Sequence, residues 1–197
     1  MKNPNLSFGI FGGLFDPPHI GHLILSQWVL EEFALDRIIF IPAFNPPHKR
    51  DCASFHHRWA MTKLAIQANK KFLLSAIEKK IKGKSYTFKV IKELKKVAAF
   101  QKGQFYLIIG ADQWNEINKW RHPELIFDET KVIVVPRPHH QIKKIQPFYR
   151  QILISNAPLI DISSTLVRSR IQKGLSIEYL VLPGVADYII KNKLYTS

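Results

Sequence analysis

The sequence predicts an α/β fold: a doubly wound, mostly parallel sheet with helices on both faces. Three observations carry that expectation. Strand-like and helix-like patterns alternate along the chain, as βα units require. The runs Ile38-Ile39-Phe40-Ile41 and Val132-Ile133-Val134-Val135 are continuously apolar, which suits strands covered on both faces. The residues with chemical character fall after the first, second and fourth strands and at a late helix start, and doubly wound sheets bind ligands beyond the carboxyl ends of their strands.

The elements follow in order. The apolar run 7–11 is the first strand, and the pattern behind it reads as a helix over 19–33. Further strands are expected at 37–41, 72–76, 105–109, 131–135 and, in shorter form, 152–155. Helices are expected at 55–69, 85–99, 163–173 and 185–192, with shorter helical turns at 113–118 and 124–127. Segment 42–54, with Pro42, Pro46 and Pro47, reads as a loop, as does 136–147, with Arg137, His139, His140, Lys143 and Lys144. No repeat, low-complexity tract or linker divides the chain. It reads as one domain over 1–197, Rossmann-like, with its C-terminal helical part (about 163–197) packed on the sheet.

Composition narrows the classes. With 197 residues, 46% hydrophobic and 22% charged, the chain is globular rather than disordered. No apolar run approaches the roughly 18 residues that a membrane span needs, and no signal peptide is read at the N-terminus. The single cysteine, Cys52, excludes an intrachain disulfide and suits a cytoplasmic location. The net charge of +14 comes from 29 Lys+Arg against 15 Asp+Glu. Much of the excess is Lys79, Lys80, Lys82, Lys84, Lys89, Lys92, Lys95 and Lys96, read as solvated faces of a helix and its approach. A nucleic-acid partner is disfavoured, because no run of aromatics is interleaved with basic residues. No membrane partner is expected, and a homo-oligomer is compatible with the sequence.

The stretch Gly12-Gly13-Leu14-Phe15-Asp16-Pro17-Pro18-His19-Ile20-Gly21-His22 is the most informative in the chain. His19 and His22, three apart at a helix start, share one face of its first turn. Free backbone N–H groups there sit at the positive end of the helix dipole, so imidazoles and amides together form a phosphate site. Gly12 and Gly13 let the backbone approach a bulky anion, and Gly21 leaves room between the histidines.

Three further groups follow. In Ser163-Ser164-Thr165 with Arg168, capping hydroxyls and a guanidinium share the start of a helix, which suits polyphosphate or, equally, an ordinary capped surface helix. Gly110 and Asp112 follow a buried strand, where a carboxylate accepts from ribose hydroxyls or merely caps its turn. Trp114 and Trp120 come next and either stack on a heteroaromatic ring or belong to the core. The stiff loop 42–50 presents His48, Lys49 and Arg50, either to phosphates or to solvent. Cys52, His56 and His57 match no standard metal-ligand spacing, so no metal site is assigned to the protein. No G-x-S-x-G elbow, Walker-type phosphate loop or G-x-G-x-x-G is present, which disfavours nucleophilic hydrolases and dinucleotide-dependent oxidoreductases.

Together these motifs resemble the bacterial nicotinate-nucleotide adenylyltransferases, within the nucleotidyltransferase superfamily marked by H-x-G-H. Gly12–His22 resembles the family's G-G-T-F-D-P-x-H-x-G-H, and residues 42–49 its P-A-x-N-P-P-H-K loop. His57-Arg58 resembles its helix-opening H-R, and Ser85-Tyr86-Thr87 its S-Y-T. Gly110-Ala111-Asp112 with Lys119-Trp120 resembles G-A-D…K-W, and residues 162–168 resemble I-S-S-T-x-I-R. Leu14 and Lys89 depart from the pattern, the first where a hydroxyl is usual and the second where an aspartate often stands.

The resemblance implies adenylyl transfer from ATP to nicotinate mononucleotide, giving deamido-NAD and pyrophosphate, with Mg²⁺ held mainly by ATP phosphates and water. It implies His19, His22 and Arg168 as catalytic residues. ATP would be met by Gly12, Gly13, Phe15, His19, His22, Gly110, Asp112, Ser163, Ser164, Thr165 and Arg168. Nicotinate mononucleotide would be met by Asp16, Lys49, Tyr86, Thr87, Trp120 and Arg121. The alternatives are another phosphate acceptor, nicotinamide mononucleotide or phosphopantetheine, and more remotely a basic nucleic-acid-binding protein.

Overall fold

The computed structural model describes residues 6–45 and 52–196. Six strands form one sheet: β1 Ser7–Gly13, β2 Arg37–Pro42, β3 Phe72–Leu74, β4 Gln104–Gly110, β5 Lys131–Val135 and β6 Ile152–Ile154. Their order is β3-β2-β1-β4-β5-β6, and every pairing is parallel, so the expected mostly parallel sheet is parallel throughout its described strands. The helices are α1 Ile20–Glu32, α2 Phe55–Ile66, α3 Thr87–Lys95, α4 Ala111–Trp114, α5 Pro123–Glu129, α6 Ser164–Gln172 and α7 Pro183–Lys191.

Continuous apolar strands feed two cores because successive side chains point to opposite faces. Ile38, Phe40, Ile108, Ile133 and Val135 face α1, α2, α6 and α7 through Val29, Met61, Val167 and Val185. Ile39, Ile41, Leu107, Ile109, Val132 and Val134 face α3, α4 and α5 through Ile91, Leu94, Trp114 and Ile126. Trp114 is fully buried and its indole N–H donates to the Lys143 carbonyl at 2.8 Å, so it is core.

Several boundaries differ from the sequence reading. The helix expected to 69 stops at Ile66, and the one expected over 85–99 is cut to Thr87–Lys95, with a 3₁₀ turn at Ala98–Phe100. The last helix starts two residues early, at Pro183, because proline's missing N–H costs nothing in a first turn. Unanticipated 3₁₀ turns occupy Ile77–Lys80 and Phe148–Gln151.

Register opens the site. β1 pairs with β4 only from Ser7↔Gln104 to Ile10↔Leu107. Beyond that point β1 continues against β2 as far as Gly13↔Pro42, and β4 against β5 as far as Gly110↔Val135. The two central strands therefore part at their carboxyl ends, where the winding of the sheet reverses. A crevice at that switch point is where a doubly wound fold takes its ligand.

Candidate active site

His19 lies one position outside α1, as its N-cap, rather than inside the expected helix. Its backbone N–H donates to His22 Nδ1 at 3.1 Å. A neutral imidazole that accepts at Nδ1 carries its proton on Nε2, so this bond selects the tautomer and leaves Nε2–H as a donor. The two rings lie 3.7 Å apart, centroid to centroid. Phe11 and Phe15 enclose the His22 ring at 6.0 and 5.1 Å. A Cβ on Gly21 would stand 3.0 Å from His19 Nδ1, which confirms that this glycine makes room for the imidazole. Phe15 itself is buried core, so only its backbone is placed to meet a ligand.

Both imidazoles are held neutral. Burial first, then the repulsion that protonation of both imidazoles would create and the Arg137 charge, keep His22 well below its ordinary value. Burial, then Arg137, lowers His19 from 6.5 to about 4. His19 Nδ1 is buried without a hydrogen-bond partner, a state that a bound anion or its water would relieve. A depressed folded-state pKa stabilises the protein above the unfolded value, and this contribution disappears as pH falls from 6.5 towards about 4. About 3 kcal/mol is involved. Urea unfolding across that window is therefore expected to show wild type losing more stability than His19→Asn. Parallel losses would remove His19 as the responsible group.

The second helix start is clamped directly to the first. Ser163 caps α6 by accepting from Leu166 N–H at 3.0 Å, and Ser164 Oγ donates to the Pro17 carbonyl at 2.8 Å. Arg168 donates from Nη1 to the Asp16 carbonyl at 2.7 Å and from Nη2 to Thr165 Oγ1 at 3.2 Å. The capped-helix reading holds, since the hydroxyls cap and tether, and the guanidinium is held on the Asp16 carbonyl of the turn that leads to the histidines. Asp16 is buried, and its Oδ1 accepts from Ala53 N–H at 3.2 Å and Tyr195 O–H at 2.6 Å. Its carboxylate is thus already engaged within the protein.

A cleft of about 1360 Å³ opens beside this turn at the β1/β4 switch point. Gly12, Gly13, Leu14, Asp112, Tyr86, Thr87, Trp120 and Arg121 all line it. Of the remaining expected residues, Gly110 is the N-cap of α4, and Lys49 lies outside the described residues. His139 and His140, in the loop after β5, are exposed and also line the cleft. His19, His22 and Arg168 do not line the cleft: the two imidazoles pair with each other, Arg168 is held on the Asp16 carbonyl, and Arg137 links the imidazoles to the cleft. Its Nε stands 3.6 Å from Asp112 Oδ1, while its charge is felt by both imidazoles.

Sequence reasoning placed Arg137 only in a basic loop and gave Glu78, Arg58 and Tyr195 no role at the site. Arg58 is fully buried and donates to three carbonyls: Ala53 at 2.9 Å, Leu14 at 2.9 Å and Ala43 at 2.6 Å. It ties the loop after β2 to the loop after β1. Glu78 lines the cleft and accepts from Phe44 N–H at 2.8 Å; burial raises its carboxyl and this bond opposes the rise. The signal for Arg58 was the H-R pair at a helix opening; nothing local marked the others. Of the imagined metal group, His57 Nδ1 pairs instead with Tyr188 Oη at 3.1 Å.

The chain matches the cytidylyltransferase-like family over residues 10–170. It is 38% identical to the nicotinate-nucleotide adenylyltransferase of Bacillus subtilis (strain 168), across 96% of this chain and 98% of that protein. It is 39% identical to the probable nicotinate-nucleotide adenylyltransferase of Thermoanaerobacter sp. (strain X514), across 96% and 94%. Among solved structures, Plasmodium falciparum nicotinic acid mononucleotide adenylyltransferase complexed with NaAD shares the fold, with a TM-score of 0.80 at 23% identity over 97% of this chain and 98% of that one. Near-complete coverage in both directions, together with the paired helix starts at the switch point, leads to one assignment: the chain is a member of the cytidylyltransferase-like family, in its nicotinate-nucleotide adenylyltransferase branch.

Proposed function

We propose that this protein transfers the adenylyl group of ATP to nicotinate mononucleotide, releasing pyrophosphate and forming deamido-NAD in NAD biosynthesis. One observation carries the reading. Two helix starts, with the His19–His22 pair on one and Arg168 on the other, are tethered through Asp16 and Pro17 beside a cleft large enough for a dinucleotide.

The mononucleotide phosphate attacks the α-phosphorus of ATP in line, forming one P–O bond as the bond to the β-phosphate oxygen breaks. That phosphate is already anionic, so the step needs no general base; positioning and charge stabilisation supply the catalysis. His22 donates from Nε2 to the α-phosphate, His19 flanks it, and Arg168 with the Ser163–Thr165 helix start receives the β- and γ-phosphates. Gly12 and Gly13 admit the phosphate chain, and Phe15 supports His22. Gly110 and Asp112 hold the adenosine ribose, with Arg137 beside them.

Trp120, partly buried on the cleft wall, stacks on the pyridine ring. Its carboxylate meets Thr87 and the first amides of α3. Tyr86 offers that helix no side-chain cap, and its first turn holds no acidic residue, so those N–H groups are available to an anion. Tyr86, Arg121 and Lys49 complete the acceptor site, and Asp16 acts on it from behind, through Ala53. Mg²⁺ would be held mainly by the ATP phosphates and water, as suits a cation that dehydrates reluctantly, and would supply neutralisation of phosphate charge. Among the described residues no group of three or more His, Cys, Asp or Glu is arranged to hold a metal. No helix among the described residues is long and apolar enough to cross a membrane, and a cytoplasmic location is proposed with the reaction.

Pyrophosphate release from ATP tests the reading. Turnover per KM is expected to be about 10²-fold or more higher with nicotinate than with nicotinamide mononucleotide, because the carboxamide turns an NH2 donor toward one of the N–H groups aimed at a carboxylate and leaves it unpaired. Equal efficiency with the two would overturn the assignment of the acid as substrate.

A further inference from the structure

We infer that Tyr195, on the tail that follows α7, is a positioning residue of the active site: by occupying the Asp16 carboxylate it keeps Arg168 free for the ATP phosphates. The inference rests on the proposed role of Arg168 in binding those phosphates.

The tail is shaped to reach Asp16. Lys193 and Tyr195 both adopt left-handed backbone, with φ of 49° and 63°. Non-glycine residues take that conformation only where surrounding contacts enforce it. Here Leu194 and Tyr195 pack against the core that α1, α2, α6 and α7 share, and Leu194 N–H donates to the Ile189 carbonyl at 3.1 Å. The turn delivers the Tyr195 hydroxyl to Asp16 Oδ1 at 2.6 Å, the length of a charge-assisted bond. The phenol keeps its proton and remains the donor: burial first, then the bond to Asp16, push its pKa above the ordinary value.

Three groups compete for this buried carboxylate. Tyr195 O–H and Ala53 N–H both take Oδ1. Arg168 Nη1 stands 3.9 Å from Oδ2, beyond hydrogen-bond reach, and donates instead to the Asp16 main-chain carbonyl at 2.7 Å. A carboxylate that is only 2% exposed must be paired. Without the phenol, the one neutral donor left to it among the described residues is the Ala53 N–H, and the nearest cation among them is Arg168. A close Asp16–Arg168 ion pair then forms, drawing the guanidinium away from Thr165 and from the polyphosphate.

Tyr195→Phe removes the hydroxyl and keeps the ring, so the tail still packs. Steady-state kinetics of the full chain are expected to show turnover per KM for ATP down about ten-fold, with KM for nicotinate mononucleotide unchanged and the melting temperature lowered by only a few degrees, the cost of one charge-assisted bond. Adding Asp16→Asn abolishes the charge that captures Arg168 and is expected to restore part of the ATP affinity, which a purely structural tyrosine would not do. ATP parameters equal to wild type in Tyr195→Phe, or no recovery in the double variant, overturn the inference while the proposed reaction stands. If wild type proves inactive with the mononucleotide, the reaction falls. Calorimetric titration of ATP alone then decides: about ten-fold weaker binding in Tyr195→Phe supports the inference, and unchanged binding overturns it.

Discussion

Replacing His22 with alanine is expected to lower adenylyl-transfer turnover about 10²–10³-fold, the usual cost of losing one preorganised donor at a developing oxyanion. The magnitude follows from how this donor is prepared. The His19 N–H bond at 3.1 Å fixes the tautomer, and Phe11, Phe15 and His19 hold the ring, so no reorganisation is needed as charge moves onto the α-phosphate. Alanine also deletes the acceptor for that N–H. His22→Asn separates the two effects, because its amide oxygen can accept in place of Nδ1 but offers no donor at Nε2. Both variants are expected to lose turnover alike, with the asparagine melting closer to wild type. Wild-type turnover in His22→Asn would assign His22 to capping α1 and remove it from the chemistry.

Arg58→Ala is expected to lower unfolding free energy by about 3–5 kcal/mol, measured by urea denaturation. Few side chains are as buried, and this one satisfies the carbonyls of Ala53, Leu14 and Ala43 together. Truncation orphans three acceptors and leaves a cavity. Arg58→Lys, which lacks the planar fork, is expected to fall between alanine and wild type. Because Arg58 joins the loops after β1 and β2, turnover should fall in both variants in the same order. An alanine variant as stable as wild type would show that water replaces the guanidinium at no cost.

The fold was legible because its determinants are local and periodic. Buried parallel strands need unbroken apolar runs, and Ile38–Ile41 and Val132–Val135 supply them for two cores at once. The His19–His22 turn and the Ser163–Arg168 helix start were legible for a related reason: capping and helical spacing act over three or four residues. Boundaries were less so. The 3₁₀ turns at Ile77–Lys80 and Phe148–Gln151 carry no period of their own, and the first exists where buried Glu78 reaches the Phe44 amide.

The two departures from the family pattern resolve unequally. Leu14 puts an apolar side chain on the cleft wall while its carbonyl is held by Arg58, so the turn is anchored through its backbone and no hydroxyl is needed to hold its shape. Lys89 places its ammonium 5.7 Å from the centroid of the Tyr86 ring, a cation–π contact next to a cleft-lining residue. It adds positive charge at the end of the cleft where the nicotinate carboxylate is proposed to bind.

By itself the sequence determined the layered α/β architecture, the switch-point crevice and the two helix starts proposed to face the phosphates. Each of these follows from periodicity, caps and motif spacing within short segments. Only the tertiary structure decided which charges meet. It joined Arg168 to the Asp16 turn across 152 residues, Tyr195 to Asp16 across 179, and Arg137 to Asp112 beside two neutral imidazoles. It also sent Trp114 to the core and left Trp120 at the cleft. Such pairings depend on distances between elements far apart in the chain, which composition and local propensity do not encode and which packing around the parted ends of β1 and β4 sets.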